Sequence, residues 1–129
     1  MKLTASRIIA ILLLVSPFNV FAHHSFAVYD LTQSIPFTGV VSELKFRNPH
    51  IAMKLTVTKE NGEEETINFI EGAPANMLVR TGLRPDMIKV GTRITAYGSP
   101  KKTDPTVYFL RTVVLENGEE FDVLPQNGR

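Results

Sequence analysis

The 129-residue chain contains no cysteine and no tryptophan. The absence of cysteine excludes disulfide bonds, thiolate metal sites and a cysteine nucleophile. Such a domain must be held by its own core, and a chain of this length buries roughly 65% of its unfolded surface on folding. The sequence also lacks a phosphate-binding loop, a dinucleotide fingerprint and the glycine pattern of a nucleophile elbow. These absences predict that the protein is not an enzyme.

The chain also lacks an excess of positive or negative charge. The chain has 14 basic and 13 acidic residues, with a formal charge of +1. Its first 22 residues hold only two charges, Lys2 and Arg7. Without them, 12 basic residues face 13 acidic ones, and the formal charge becomes −1. Because nucleic-acid binders normally present a basic face, we expect no nucleic-acid partner.

The first 22 residues have the pattern of a secretory signal peptide. Lys2 and Arg7 precede the apolar run Ile8–Val15, and Val20-Phe21-Ala22 is typical of a cleavage site. This run is far shorter than the roughly 18–20 residues of a membrane-spanning helix. We therefore predict a periplasmic or secreted protein without a stable membrane anchor. A rival site at Ser25-Phe26-Ala27 would leave a longer stretch after the apolar run, so we favour cleavage after Ala22.

The rest of the chain has the pattern of short β-strands separated by turns. Ile51, Met53 and Leu55 alternate with polar residues, and Asn61-Gly62 and Asn117-Gly118 indicate tight hairpins. We predict an N-terminal segment at 23–34, a barrel domain at 35–124 and a tail at 125–129. The predicted strands cover residues 35–46, 51–58, 66–70, 92–97, 107–115 and 121–124, and Gly98-Ser99-Pro100 is predicted to end the fourth.

A short helix interrupts the strands. Residues 74–80 fit two helical turns, with Pro74 near the start and Gly82 just after the end. A long first strand with a central Gly39, and a helix between the third and fourth strands, match the OB-fold. The predicted fold is therefore mainly β: a small OB-like barrel of five to six strands with one short helix. A plain β-sandwich is the alternative, which the helix and the low strand count disfavour.

The three histidines are the candidate metal ligands. The predicted cleavage makes His23 the first residue, so that its α-amino group and Nδ1 can chelate one metal ion. The α-amino pKa is near 7.7–8.0, and the group therefore loses its proton readily to a competing metal. A second imidazole would complete a three-nitrogen site suited to Cu(II). His24 offers another mode, with the amino group, one backbone nitrogen and its own imidazole.

His50 is the candidate for the remaining ligand. It follows Asn48-Pro49 and is out of phase with the inward residues Ile51 and Met53, so it is predicted to lie at the surface or the barrel mouth. Met53 is expected in the core. The sequence therefore predicts a copper site at His23, His24 and His50. In the alternative interpretation, the histidine pair is merely solvated and His50 bonds a carbonyl near its turn.

A second use of the barrel is a groove for an unknown protein or small molecule. The first three strands of OB-folds form such a surface. Lys45, Arg47 and Lys54 cluster around the first two strands, with Phe46 among them. An ordinary solvated strand surface explains the same charges.

Five short motifs carry a family resemblance that extends from His23 to about Leu124. They are Ala22-His23-His24-Ser25-Phe26, Thr38-Gly39-Val40-Val41, Asn48-Pro49-His50, Glu71-Gly72-Ala73-Pro74, and Val90-Gly91-Thr92-Arg93-Ile94 with Tyr97-Gly98. In this order they resemble a family of small exported bacterial proteins, the domain-of-unknown-function family numbered 6152. The resemblance implies a periplasmic-type location and a small β-rich domain, and no established activity.

Overall fold

The computed structural model describes residues 24–123. In this part of the chain a short N-terminal helix precedes a barrel of β-strands, and a second helix and a 3₁₀ helix connect the third strand to the fourth. The elements are α1 (His24–Ala27), β1 (Ile35–Lys45), β2 (Ala52–Thr58), β3 (Glu64–Glu71), α2 (Ala75–Arg80), the 3₁₀ helix (Pro85–Ile88), β4 (Arg93–Lys101), β5 (Asp104–Leu115) and β6 (Glu120–Asp122).

The first five strands close into a barrel. Neighbouring strands follow the order β3-β2-β1-β4-β5-β6, and β3 also pairs with β5. The closing pair is parallel and aligns Asn68 with Val107 and Phe69 with Tyr108. All other pairs are antiparallel, and β6 adds one extra strand to β5. The prediction of a small OB-like barrel with five to six strands is confirmed.

The long first strand is shared by two partners. Its first half pairs with β4, and its second half pairs with β2, with Val40 common to both ladders. The register with β2 shifts between Val41 and Glu43, a few residues beyond Gly39. Gly39 instead permits close approach, because a Cβ added there would lie 2.3 Å from the Thr56 carbonyl oxygen.

Both Asn-Gly pairs form hairpin turns, as predicted, and the two turns have the same geometry. Gly62 donates its amide to the Lys59 carbonyl, and Gly118 donates to that of Leu115, each at 2.9 Å. Each glycine has a positive φ, 84° and 87°. These are three-residue loops in which glycine occupies the left-handed position, rather than two-residue turns.

The prediction that Gly98-Ser99-Pro100 ends the fourth strand is wrong, because β4 continues to Lys101. The ladder with β5 shifts register on both sides of this stretch, and such irregular positions tolerate proline. Proline has no backbone N–H but keeps its carbonyl, and the Pro100 carbonyl accepts a hydrogen bond from the Asp30 backbone N–H at 2.8 Å. The predicted helix at 74–80 is confirmed, with Pro74 as the residue that precedes it.

The barrel interior holds the apolar residues that the alternating pattern predicts. Met53 is 2% exposed and therefore belongs to the core. Leu78 of α2 and Ile88 of the 3₁₀ helix join the same cluster, so both helices pack on the barrel core. The other large, fully buried members are Val41, Ile51, Leu55, Phe69, Leu83, Ile94, Leu110, Val113 and Val123.

Among residues 24–123, no helix is both long enough and apolar enough to cross a membrane. The predicted leader at 1–22 and the predicted tail at 125–129 lie outside the described residues.

Candidate metal centre

An N-terminal arm, residues 24–34, runs beside the end of the β4–β5 hairpin that contains its turn, at Lys101 and Lys102. Tyr29 forms an antiparallel bridge with Lys101, and the Lys102 amide donates to the Val28 carbonyl at 2.9 Å. The Lys102 ammonium donates to the Ala27 carbonyl, also at 2.9 Å. These contacts tie the chain to the barrel within a few residues of His24.

Two further side chains of the hairpin bind the carbonyls of the arm. The buried Ser99 hydroxyl donates to the Gln33 carbonyl at 2.7 Å. Arg111 donates to the Leu31 carbonyl at 3.0 Å and to the Ser99 hydroxyl at 3.1 Å. The arm is therefore held to the hairpin between Ala27 and Gln33.

The arm also carries its own turn. The Asp30 carboxylate accepts hydrogen bonds from the Thr32 hydroxyl at 2.6 Å, the Gln33 side-chain amide at 2.6 Å and the Thr32 backbone N–H at 3.1 Å. The bonds from Thr32 and then Gln33 lower the pKa of the Asp30 carboxyl below its usual range. The ionised form of Asp30 thus fixes the bend that leads the arm into β1.

Aromatic side chains anchor the arm from its inner side. The rings of Phe26 and Tyr29 lie 5.4 and 5.5 Å from the Phe109 ring, in tilted and edge-on arrangements. Tyr29 is only 3% exposed. Burial raises the pKa of its hydroxyl, and the charge of Glu71 raises it further. The arm therefore packs on Phe109, whose backbone is paired with Glu71, the last residue of β3.

His50 lies on the loop between β1 and β2 and is exposed, as predicted. Its Nδ1 is 3.1 Å from the Gly72 carbonyl oxygen. Because a carbonyl only accepts, Nδ1 carries the hydrogen, and in the neutral ring Nε2 keeps a free lone pair. Metal-bound histidines commonly use one ring nitrogen in this way while the other holds the metal. The same bond also fits the alternative interpretation, in which His50 only bonds a carbonyl.

The loop around His50 is fixed on both sides. The peptide bond between Asn48 and Pro49 is cis. Asn48 accepts the Asn76 amide at 3.3 Å, and the Ile51 amide donates to the Ala73 carbonyl at 3.2 Å. The loop therefore packs against the segment that joins β3 to α2.

The arm and the His50 loop meet the same end of β3. Glu71 is paired with Phe109 in the β3–β5 ladder, and Phe109 contacts the arm. The next residue, Gly72, accepts the hydrogen bond from His50. A side chain at Gly72 would collide with Ile51, at 2.5 Å, so the loop requires glycine there. Two adjacent residues thus connect segments that are far apart in the sequence.

The described residues include only some of the predicted metal ligands. His23 lies outside the described residues, and His24 is the first residue of α1. Within residues 24–123 no group of three or more histidine, aspartate or glutamate side chains is close enough together to hold a metal ion. The copper site at His23, His24 and His50 therefore stays a prediction.

The basic cluster on the first two strands is largely neutralised. Glu43 forms ion pairs with Lys45 at 3.0 Å and with Lys54 at 2.7 Å, and these two ammonium groups lower the pKa of its carboxyl. Phe46 packs against the core, and Arg47 is exposed. A depression of about 110 Å³ lies beside the pairs. Typical small-molecule sites occupy roughly 300–1,000 Å³, so this one is too small for an ordinary organic ligand.

The comparison with known families settles the classification of the chain. The profile of a family of unknown function, DUF6152, matches residues 11–107. The chain belongs to this family. The match includes the arm, His50, Glu71 and Gly72, and so extends over most of the barrel. No curated protein and no solved structure matches the chain.

Sequence reasoning missed the residues that hold the arm. Tyr29, Lys102 and Arg111 carry no motif, and their partners lie many positions away in the chain. The Asp30-x-Thr32 spacing is the one local signal that could have indicated the turn, because Asp commonly accepts from the backbone two residues on.

Proposed function

We propose that this DUF6152 protein is an exported, non-enzymatic binding protein that holds Cu(II) at its mature N-terminus. In this proposal cleavage after Ala22 exposes His23, whose amino group and imidazole chelate the metal, and His50 supplies a third nitrogen. His24 provides the alternative mode. The single observation that carries the proposal is the hydrogen bond from His50 Nδ1 to the Gly72 carbonyl, which leaves Nε2 unpaired at the surface.

The anchored arm supports the same reading. A free His-His peptide would lose considerable conformational entropy on closing around a metal together with a distant imidazole. Here Tyr29 and Lys102 tie the arm to the hairpin, and His50 bonds the Gly72 carbonyl just beyond β3. This anchoring supports the proposal, because a tethered arm has less conformational entropy to lose than a free peptide. Neutral imidazole and amine nitrogens are ligands that Cu(II) binds tightly.

The first experiment acetylates the α-amino group of His23 in the purified mature protein. Acetylation removes the amino nitrogen that both the His23 mode and the His24 mode use as a ligand. We expect the Kd for Cu(II), measured by competition with a chromophoric chelator at neutral pH, to rise by at least tenfold. An unchanged Kd would exclude the amino-terminal chelate. Mass spectrometry of the exported protein identifies its first residue, and removal of both histidines by processing would also overturn the proposal.

The second experiment replaces His50 by alanine, with Arg47→Ala as the matched control. Both residues are exposed on the same loop, and the described part of the chain shows no hydrogen bond from the Arg47 side chain. We expect His50→Ala to weaken Cu(II) binding by at least tenfold and to change the electron paramagnetic resonance spectrum. Arg47→Ala should change neither. Equal behaviour of the two variants would remove His50 from the site.

A metal-independent ligand- or protein-binding module is the alternative outcome. It would be favoured if the mature protein bound Cu(II) no more tightly than a free peptide beginning His-His-Ser-Phe. Its candidate surface is the depression lined by Glu43, Lys54, Asn68 and Ile70. The small size of this depression and the internal ion pairs of Glu43 make the histidine site the better-supported choice.

A further inference from the structure

The two hairpin turns of the barrel have the same sequence and the same backbone geometry. Residues 60–64 and 116–120 both read Glu-Asn-Gly-Glu-Glu. In each turn the asparagine Oδ1 accepts the backbone N–H of the residue two positions later, at 3.0 Å. Both asparagines are exposed. Because the local sequence is identical, any difference in the reactivity of the two asparagines must come from the structure around them.

An asparagine that precedes glycine can react with the backbone. Glycine has no Cβ, so its nitrogen approaches the neighbouring side chain without hindrance. After this nitrogen loses its proton to solvent, it attacks the asparagine Cγ. The new N–Cγ bond closes a succinimide ring as the Cγ–Nδ2 bond breaks, and Nδ2 takes a proton from solvent and leaves as ammonia. Water then opens the ring at either carbonyl, which gives aspartate or isoaspartate without any oxidant or reductant.

The two carboxamide groups differ in their hydrogen bonds. The Asn117 Nδ2 donates to a Glu119 carboxylate oxygen at 3.0 Å. In the described residues, the Asn61 side chain is bonded only through its Oδ1, and its Nδ2 has no acceptor. A bond to a charged acceptor is stronger than one to a neutral acceptor, so it restrains rotation of the Asn117 carboxamide toward the Gly118 nitrogen. The Asn61 carboxamide is free of this restraint.

The two hairpins are also anchored differently. Leu115 and Phe121, on either side of the second turn, pack against the hydrophobic core. The corresponding positions of the first turn are Lys59 and Glu65, which are exposed and form an ion pair at 3.2 Å. An exposed ion pair contributes little to stability, whereas apolar packing resists local opening. In both turns the glycine nitrogen must release its hydrogen bond before it attacks, and the first turn opens more readily.

We propose that Asn61 is a site of spontaneous deamidation in the folded protein, and that the structure protects Asn117 from the same reaction. The aspartate product adds a negative charge to a turn that already contains Glu60 and Glu63. The isoaspartate product also lengthens the backbone of the three-residue loop by one carbon. The inference does not depend on the proposed function, because neither turn contains a candidate metal ligand.

The test follows both asparagines in one sample. The purified mature protein is incubated for weeks at mildly alkaline pH. Mass spectrometry of the tryptic peptides 60–80 and 112–129 then measures replacement of the side-chain amino group by a hydroxyl, and fragment ions distinguish Asn117 from Asn127, which also precedes a glycine. We expect Asn61 to react about fivefold faster than Asn117, or more. Equal rates, or an unreacted Asn61, would overturn the proposal.

Unfolded protein is the control for the sequence. In urea the two asparagines should react at rates within about twofold of each other, because the structural differences are lost. A fivefold difference that persists in urea would show that the fold does not set the rates, and would overturn the proposal in the same way as equal rates in the native protein.

A pair of variants isolates the side-chain bond. Glu119→Ala removes the acceptor of the Asn117 Nδ2 and should accelerate deamidation of Asn117 about threefold or more. Glu63→Ala is the matched change in the first turn, where the carboxylate makes no bond to Asn61, and it should change the Asn61 rate less than about twofold. An unchanged Asn117 rate in Glu119→Ala would contradict the protection by this bond.

Discussion

Replacement of Gly39 by alanine should strongly destabilise the barrel. The new Cβ would lie 2.3 Å from the Thr56 carbonyl oxygen, 2.9 Å from its carbonyl carbon and 3.1 Å from Cγ2 of Val57. Ordinary carbon–oxygen contacts between strands are about 3.3–3.6 Å, so β1 and β2 would have to separate by about 1 Å. The obstacle is backbone and cannot rotate away.

The expected loss of stability can be calculated from the backbone hydrogen bonds that separation of β1 and β2 would break. The nearest ladder pairs join Val40 to Thr56 and Val41 to Leu55. Losing two backbone hydrogen bonds costs about 0.5–1.5 kcal/mol each, and overpacking strain adds about 1–3 kcal/mol. The lower entropy of an unfolded chain with alanine offsets about 0.4–1 kcal/mol. We therefore expect the free energy of unfolding to fall by about 3 kcal/mol, which lowers Tm by about 12–24 °C.

Thermal and urea unfolding, followed by circular dichroism, measures this loss. Ser42→Ala is the matched control, because Ser42 is exposed on the same strand and makes only a 3.3 Å bond to the Lys54 carbonyl. That control should stay within about 0.5 kcal/mol of the wild type. Adding Val57→Ala should not rescue Gly39→Ala, since the carbonyl contact remains. A Gly39→Ala protein as stable as the control would refute the close approach of β1 and β2.

Two further predictions concern the core and the arm. Leu110→Ala should reduce the free energy of unfolding by about 2–5 kcal/mol, because Leu110 is fully buried, whereas Val40→Ala at an exposed site should cost much less; equal urea midpoints would contradict this. Asp30→Asn should lower Tm at pH 7. The pKa of Asp30 is lower in the folded protein than in the unfolded chain, where it is about 3.9. The stabilisation by its ionised form is therefore present above the unfolded pKa and disappears as the pH falls through the folded pKa. A Tm difference between the two proteins that persists at pH 2 would contradict this role of the ionised form.

The barrel could be predicted because its strongest signals are local. The alternation of Met53 and Leu55 with polar neighbours defines the buried face of β2, and each Asn-Gly pair defines a hairpin. The continuation of β4 through Pro100 could not be predicted in this way. Local rules treat proline as the end of a strand. Here the pairing of β4 with β5 is irregular around Pro100, and the Pro100 carbonyl accepts a hydrogen bond from the arm at Asp30, so the strand continues.

Only part of the candidate site could be predicted from the sequence, because only its local features leave a sequence pattern. The position of His50 after a proline predicted exposure, which is a local property, but its acceptor at Gly72 lies 22 residues further along. The arm is fixed by Lys102 and Arg111, 75 and 80 residues from the carbonyls that they bind. No periodicity links such positions. Only the pairing of β3 with β5 sets Phe109, which contacts the arm, beside Glu71, while the histidine loop bonds the next residue, Gly72.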